Sequence, residues 1–306
     1  MKILVATEKP FAPIAVDGIK KIIIDAGHEF SLLEKYTNPE ELYTAISDTD
    51  ALIVRSDKVT KELISHAQNL KIVVRAGAGY DNLDLNACNE KNIVAMNTPG
   101  QNSNAVAELA IGFMIYMSRN CFTPGTGIEL KGKTLGVHAY GNIGKIVARI
   151  AKGFQMNIIA YDKNVSIDVM EKDGVTFANS VDELYSKSDY LSLHIPANDE
   201  TKKSIDYEIL SKLPNGACII NTARKEVIND EELMRILEER NDLKYITDIA
   251  GDNYSELKEK FGNRVFASPQ KMGAETSEAN INAGLASANQ IVKFFESGDT
   301  TFQVNK

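Results

Sequence analysis

The sequence predicts an α/β protein with two parallel-sheet domains, and three observations predict it. Short apolar runs alternate with helical patterns along nearly the whole chain, the mark of parallel sheets covered on both faces. Residues 134–162 read as strand, glycine-rich turn, helix, strand and acid, which is the opening of a dinucleotide-binding βαβ unit. Residues 102–118 form a helical pattern that is apolar nearly all round, as expected of a helix buried between two bodies.

In chain order, residues 2–6 are a compact strand, 13–26 a helix with Ile14, Ile19, Ile22 and Ile23 apolar, and 30–33 a strand. Residues 39–46 read as helix, 51–54 as a strand ending at Arg55-Ser56, 61–67 as helix and 71–74 as strand. Residues 93–96 are a further strand, closed by Asn97-Thr98-Pro99-Gly100. The long apolar helix and a breaker-rich link at 121–127 lead into the βαβ unit. Beyond it, a short strand at 175–177 precedes a helix at 181–186, for which Ser180 is the N-cap candidate. Strands follow at 190–195, 217–220, 245–247 and 264–267, with helices at 204–212 and 230–240 between them. The last helix, 277–296, is long and amphipathic, and is expected to return to the first domain so that the tail pairs there.

Composition narrows the function. A length of 306 residues suggests one large or two moderate domains. A net charge of −8 argues against nucleic acid and against an anionic membrane surface. No apolar run reaches the length of a bilayer span, and the N-terminus starts as a strand without a signal-peptide layout. The cysteines, Cys88, Cys121 and Cys218, are scattered and odd in number. They read as reduced thiols, and the chain as cytoplasmic. No metal-ligand pattern is read.

The chemistry begins in the turn Tyr140-Gly141-Asn142-Ile143-Gly144. Such a turn lets a pyrophosphate approach the backbone and rest on a helix N-terminus, where N–H groups and the helix dipole favour anions. Asp162 closes the second strand. A carboxylate there accepts from a ribose diol and repels a 2′-phosphate, which argues for NAD over NADP. The fingerprint has one departure: its first glycine is Ala139, and alanine does not take a positive φ cheaply. Ligands in open α/β sheets bind beyond the carboxyl ends of strands. In the first domain two such ends are polar or glycine-rich, Arg55-Ser56-Asp57-Lys58 and Arg75-Ala76-Gly77-Ala78-Gly79-Tyr80-Asp81-Asn82. The second is either an anion-binding loop of backbone amides or a tight turn that needs small residues.

The motifs RAGAGYDNLDL (75–85), NTPGQNSNAVAELAIG (97–112), LGVHAYGNIGK (135–145), LSLHIPANDETK (191–202), LPNGACIINTARKEVINDEEL (213–233) and YITDIA (245–250) resemble those of the D-isomer-specific 2-hydroxyacid dehydrogenases over essentially the whole chain. Within that family the likeness is to the short phosphoglycerate dehydrogenases that lack a regulatory domain, so inhibition by serine is not expected. The resemblance implies a Rossmann NAD-binding domain, 101–275, inserted in a smaller flavodoxin-like substrate domain, 1–100 with 276–306. It also implies a homodimer through the NAD domains, an active site in the cleft, and oxidation of 3-phospho-D-glycerate to 3-phosphooxypyruvate with NAD. The alternatives are another D-2-hydroxyacid dehydrogenase, a glyoxylate or hydroxypyruvate reductase, or an NAD-sensing corepressor-type binding protein.

By the same resemblance, Arg224 is the substrate-gripping arginine. His194, Thr201, Thr222, Ala223 and Asp248 line the cofactor with residues 140–144 and Asp162, and Asp248 accepts from the nicotinamide carboxamide. Arg55, Ser56, Ala78, Gly79 and Asn102 match substrate-pocket positions, and Arg55, Lys58 and Arg75 are candidates for reading a phosphate. The family's catalytic histidine does not map. Its position holds Lys271, and no histidine follows His194. Lys271 is therefore expected to act as the base, its ordinary pKa of about 10.4 lowered by neighbouring positive charge and partial burial. The family's glutamate position holds Asn253, and Asp252 is the nearest acid.

Overall fold

Alternating apolar residues build two wholly parallel sheets in the computed structural model, which describes residues 1–306. The chain divides into two units, Met1–Asn102 with Glu275–Lys306, and Ser103–Ala274. In the first unit, β1 (Lys2–Thr7), β2 (Glu29–Glu34), β3 (Ala51–Val54), β4 (Ile72–Arg75) and β5 (Val94–Asn97) take the order β2-β1-β3-β4-β5, the flavodoxin-like winding. Successive residues point to opposite faces. Ile3 and Val5 therefore join the layer under the helices Pro13–Asp25 and Ser277–Ser297, while Leu4 and Ala6 join the other. The C-terminal tail does return to this unit. Val304 N–H donates to Ala95 O at 2.8 Å, and Asn305 Oδ1 accepts from Ala95 N–H at 2.8 Å. It adds one antiparallel bridge, Met96 to Gln303, and not a strand.

The second unit holds β6 (Thr134–His138), β7 (Asn157–Tyr161), β8 (Thr176–Phe177), β9 (Tyr190–Leu193), β10 (Cys218–Asn221), β11 (Lys244–Thr247) and β12 (Val265–Ala267), in the order β12-β11-β10-β9-β6-β7-β8. Strand order reverses between β6 and β9, which makes that edge the place for a ligand. The apolar helix Ser103–Ser118 belongs to this unit's core, where Met114 and Met117 pack with Leu135 and Val147.

Three short helices escaped the periodicity: Leu85–Glu90, Ile167–Lys172 and Tyr254–Phe261. The helix expected at 204–212 runs only from Tyr207 to Ser211. Asp206 caps it by accepting from Ile209 N–H, while Ile205 forms a bridge with Ile228. No helix is long and apolar enough to cross a membrane.

Candidate active site

At the end of β6 the chain turns through Ala139, whose φ is +79°. The left-handed region costs an L-residue about 1–2 kcal/mol, so the fingerprint's missing glycine is felt as strain. Two bonds hold the turn: Ala139 N–H to Tyr161 O at 2.9 Å, and Tyr140 N–H to Asp162 Oδ2 at 2.8 Å. Gly144 is required for another reason. A Cβ there would lie 2.3 Å from Ala139 O, so only glycine lets the helix Asn142–Gly153 pack against the turn. Gly141 caps that helix, and a Cβ on it would meet nothing within 4 Å. The exposed Gly141 and Asn142 thus leave room for an anion at the helix N-terminus. The Tyr140 side chain is buried and donates to Asp173 Oδ2 at 3.0 Å, so its part here is structural.

Asp162 accepts from three amides, those of Tyr140, Asn164 and Val165. A carboxylate has about four acceptor positions, so about one is left for a ribose hydroxyl. Beside it lies a cavity of 370 Å³ lined by His138, Tyr161, Val181, Ile195, Pro196, Asn198, Thr201 and Ile205 among others. Asn198 Oδ1 accepts from the Glu200 and Thr201 amides, and Thr201 Oγ1 donates to Pro196 O. The wall is therefore ordered and largely apolar.

The ends of β10 and β11 differ. Asp248 is buried, and burial raises its carboxyl above the usual range against the opposing pull of the Gly273 amide, Lys271, the Met272 amide and Arg224. Its Oδ2 accepts from Gly273 N–H at 3.0 Å, while its Oδ1 has no partner. Thr222 Oγ1 and His194 Nδ1 are likewise buried without partners. His194 Nε2 lies 2.9 Å from Ser192 Oγ, and burial lowers the ring to about 3, so it stays neutral at any working pH. Arg224 is half-buried and gives one Nη1 bond to Ala223 O at 2.8 Å. Lys271 is exposed in this structure, so the partial burial expected for it is not seen. Asp252 is held at the surface in a 2.6 Å ion pair with Lys225. Asn253, at the glutamate's position, donates through Nδ2 to Asp230 O and keeps Oδ1 buried without a partner.

In the first unit, Arg55 is more engaged than its sequence position suggests. Its Nη1 donates to Lys9 O and Pro10 O at 3.0 Å, its Nη2 to Asn280 Oδ1 at 2.6 Å, and it stacks on Phe11. Arg75 Nε donates to Arg55 O. Gly77 stands at φ +152°, a backbone conformation that residues with a Cβ rarely adopt, with the Arg75 guanidinium lying against it. The Ala76 and Gly77 amides bond to Val54 O and Arg75 O, whereas those of Ala78 and Gly79 donate to no protein acceptor. Ser56 and Lys58 are exposed, and Asn102 immediately precedes the helix Ser103–Ser118. One residue of this loop was missed as an organiser. Buried Asp57 accepts from Glu8 N–H and Tyr36 Oη–H, both at 2.7 Å, and from Arg55 N–H. The only signal was an acid three residues beyond the end of a strand.

The segment 116–269 matches the family model described as "D-isomer specific 2-hydroxyacid dehydrogenase, NAD binding domain". A D-3-phosphoglycerate dehydrogenase of Methanocaldococcus jannaschii is 36% identical over 92% of this chain and 56% of its own length. A hydroxypyruvate reductase of Thermotoga maritima is 35% identical over 87% of this chain and 91% of its own. The chain belongs to the D-isomer specific 2-hydroxyacid dehydrogenase family. A crystal structure of NAD⁺-bound 3-phosphoglycerate dehydrogenase from Entamoeba histolytica is 50% identical to this family member, covers 100% of it and 99% of itself, and superposes with a TM-score of 0.88. The chain spans about half the length of the Methanocaldococcus relative.

The residues present in this chain fit NAD. A glycine cradle lies open at a helix N-terminus, an acid closes the second strand, and unpartnered acceptors at Asp248 and Thr222 suit a carboxamide and its surroundings.

Proposed function

We propose that this chain oxidises 3-phospho-D-glycerate to 3-phosphooxypyruvate with NAD. The observation that carries the reading is the 50% identity, over the full length of both chains, to the Entamoeba phosphoglycerate dehydrogenase. When bound, NAD supplies the acceptor for the hydride that leaves C2. The Gly141–Gly144 turn and Asp162 would hold its adenosine and pyrophosphate, and Thr222, Ala223, His194 and Asp248 its nicotinamide side.

This chain's own residues supply the rest. Arg224 keeps guanidinium N–H groups beyond the one given to Ala223, enough for a two-pronged grip on the substrate carboxylate. That grip fixes C2 for reaction. Lys271 takes the proton from the 2-hydroxyl during oxidation and returns it in reduction. Asp248 steadies the segment that carries it, since its Oδ2 holds the Gly273 amide two residues on. The Ala78 and Gly79 amides, which donate to no protein acceptor, suit an anionic group of the substrate. Arg55 ties the Lys9-Pro10 segment to Asn280 at least as much as it reads a phosphate, because three of its N–H bonds go to those residues.

We read the enzyme as a cytoplasmic homodimer. Support for dimerisation through the second unit comes from apolar side chains left exposed after the helix Ser103–Ser118, Phe122 and Ile128.

The test is NADH formation with 3-phosphoglycerate, glycerate and D-lactate in turn, alongside reduction of hydroxypyruvate and glyoxylate. Phosphoglycerate should be the substrate with the highest kcat/KM. Faster turnover of the unphosphorylated acids would make the protein a reductase of the hydroxypyruvate type.

A further inference from the structure

The 370 Å³ cavity contains one polar ring that the cofactor reading leaves without a role. His138 is the last residue of β6 and lines the cavity among Tyr161, Val181, Ile195 and Ile205. Its Nδ1 lies 3.1 Å from Tyr185 Oη. Tyr185 is wholly buried, and its hydroxyl has no other partner. A buried hydroxyl that fails to donate carries the cost of its lost hydration. Nδ1 is the acceptor within reach, and it accepts only in the tautomer that carries the ring proton on Nε2. Burial lowers His138 to about 4 and raises Tyr185 well above its ordinary value, so both groups stay neutral near pH 7. His138 Nε2 bonds to no protein group, yet it is not among the unpartnered atoms sealed from solvent. The fold thus presents the Nε2–H of His138 beside the apolar Val181, Ile195 and Ile205, in a cavity whose other polar lining is Asp162, Lys163, Asn164, Asn198, Glu200, Thr201 and Ser204.

We propose that His138 Nε2–H is a hydrogen-bond donor to the purine of the bound dinucleotide, and that Tyr185 is the positioning residue that holds the ring in the donating tautomer. The proposal rests on the dinucleotide reading above. A purine matches the wall chemically. Its faces are apolar enough for Val181, Ile195 and Ile205, and its ring nitrogens are acceptors. Neither half of the pair needs to change charge on binding, so the contribution is orientation and selectivity for the base.

The test uses the full chain. ADP-ribose and nicotinamide mononucleotide are titrated calorimetrically into the wild type, His138→Leu and Tyr185→Phe. The ring nitrogens of His138 are also followed by ¹⁵N NMR in the wild type and in Tyr185→Phe. His138→Leu should bind ADP-ribose about fivefold more weakly, the size of one net hydrogen bond, with nicotinamide mononucleotide unaffected. Tyr185→Phe should lose less, and its ring should shift from a pure Nε2–H form towards a tautomer mixture. In the wild type, ADP-ribose should move the Nε2 resonance. Unchanged ADP-ribose affinity in His138→Leu would overturn the proposal. So would an Nδ1–H tautomer in the wild type, a measurement that needs no variant to fold. If the wild type binds neither ADP-ribose nor nicotinamide mononucleotide, the dinucleotide reading itself fails and the proposal falls with it.

Discussion

At the nucleotide end of the second unit, Asp162 and Asn198 are already engaged by the protein; at the ends of β10 and β11, Asp248 and Thr222 keep polar atoms that are not. Asp162 accepts from three amides and Asn198 Oδ1 from two. Asp248 Oδ1 and Thr222 Oγ1 are buried with no partner at all. An unsatisfied buried polar atom costs about 1–3 kcal/mol, so two of them on neighbouring strands need an explanation. The difference separates groups that hold the shape of the site from groups kept for a ligand. We read the engaged end as a frame and the unengaged atoms as groups for a bound ligand to satisfy.

Substitutions at the two ends should therefore fail in different ways. The largest effect is expected at the chemical end. Arg224→Lys keeps the charge but loses the planar fork, and should lower kcat/KM by about 100-fold, the cost of a misplaced substrate. Its NAD dissociation constant should stay within twofold of wild type, about the scatter of such a measurement. Equal losses in both would erase the distinction between the ends. Next comes the frame itself. Gly144→Ala places a Cβ 2.3 Å from Ala139 O, and should cost about 1–3 kcal/mol of stability together with NAD affinity. Denaturant unfolding and cofactor titration would show it. An unperturbed midpoint would mean that the helix can slide away from the turn.

Asp248→Asn sharpens the comparison because its effects should have opposite signs. Burial raises the Asp248 carboxyl in the folded state, so the folded protein holds a proton that the unfolded chain releases. Stability is then lost as pH rises from the ordinary carboxylate range through the raised value. The neutral amide escapes that loss. The variant should melt higher than wild type at pH 7, with the gap closing in acid, while binding NAD more weakly. A lower melting temperature at pH 7 would show that the ionised carboxylate is stabilising where it stands. The smallest effect is expected at Ala139, where φ is +79°. Ala139→Gly relieves the left-handed strain but adds backbone entropy to the unfolded chain, for a net gain of about 0.5–1 kcal/mol. Destabilisation would mean that the methyl group packs better than the strain costs.

Much of the frame was legible because it is local. The apolar alternation of β1 to β12, the Gly141–Gly144 turn and Asp162 all lie within a βαβ period, and Ser180 caps its helix through Glu183 N–H as expected. What was not legible depends on distant pairing. Asp252 was a candidate acid until Lys225, 27 residues away, was found holding it. Arg55 was one of three candidate phosphate readers on position alone, and its tie to Asn280 spans 225 residues. His138 was one histidine among four until the fold set its Nδ1 3.1 Å from Tyr185 Oη, 47 residues away. Burial, which decides whether a titrating group is tuned, could not be read for Lys271 either; it was expected to be half-covered and is exposed.

The central claim is that Lys271 does the work of the histidine this chain lacks. The most direct test is the pH dependence of kcat for oxidation of 3-phosphoglycerate by wild type and Lys271→Met. The wild-type rate should rise along a basic limb as the amine gives up its proton. Lys271→Met should lose that limb and at least about 100-fold in rate, the usual size of general-base catalysis. A Lys271→Met enzyme with substantial activity and an unchanged pH profile would contradict the account and move the proton acceptor elsewhere.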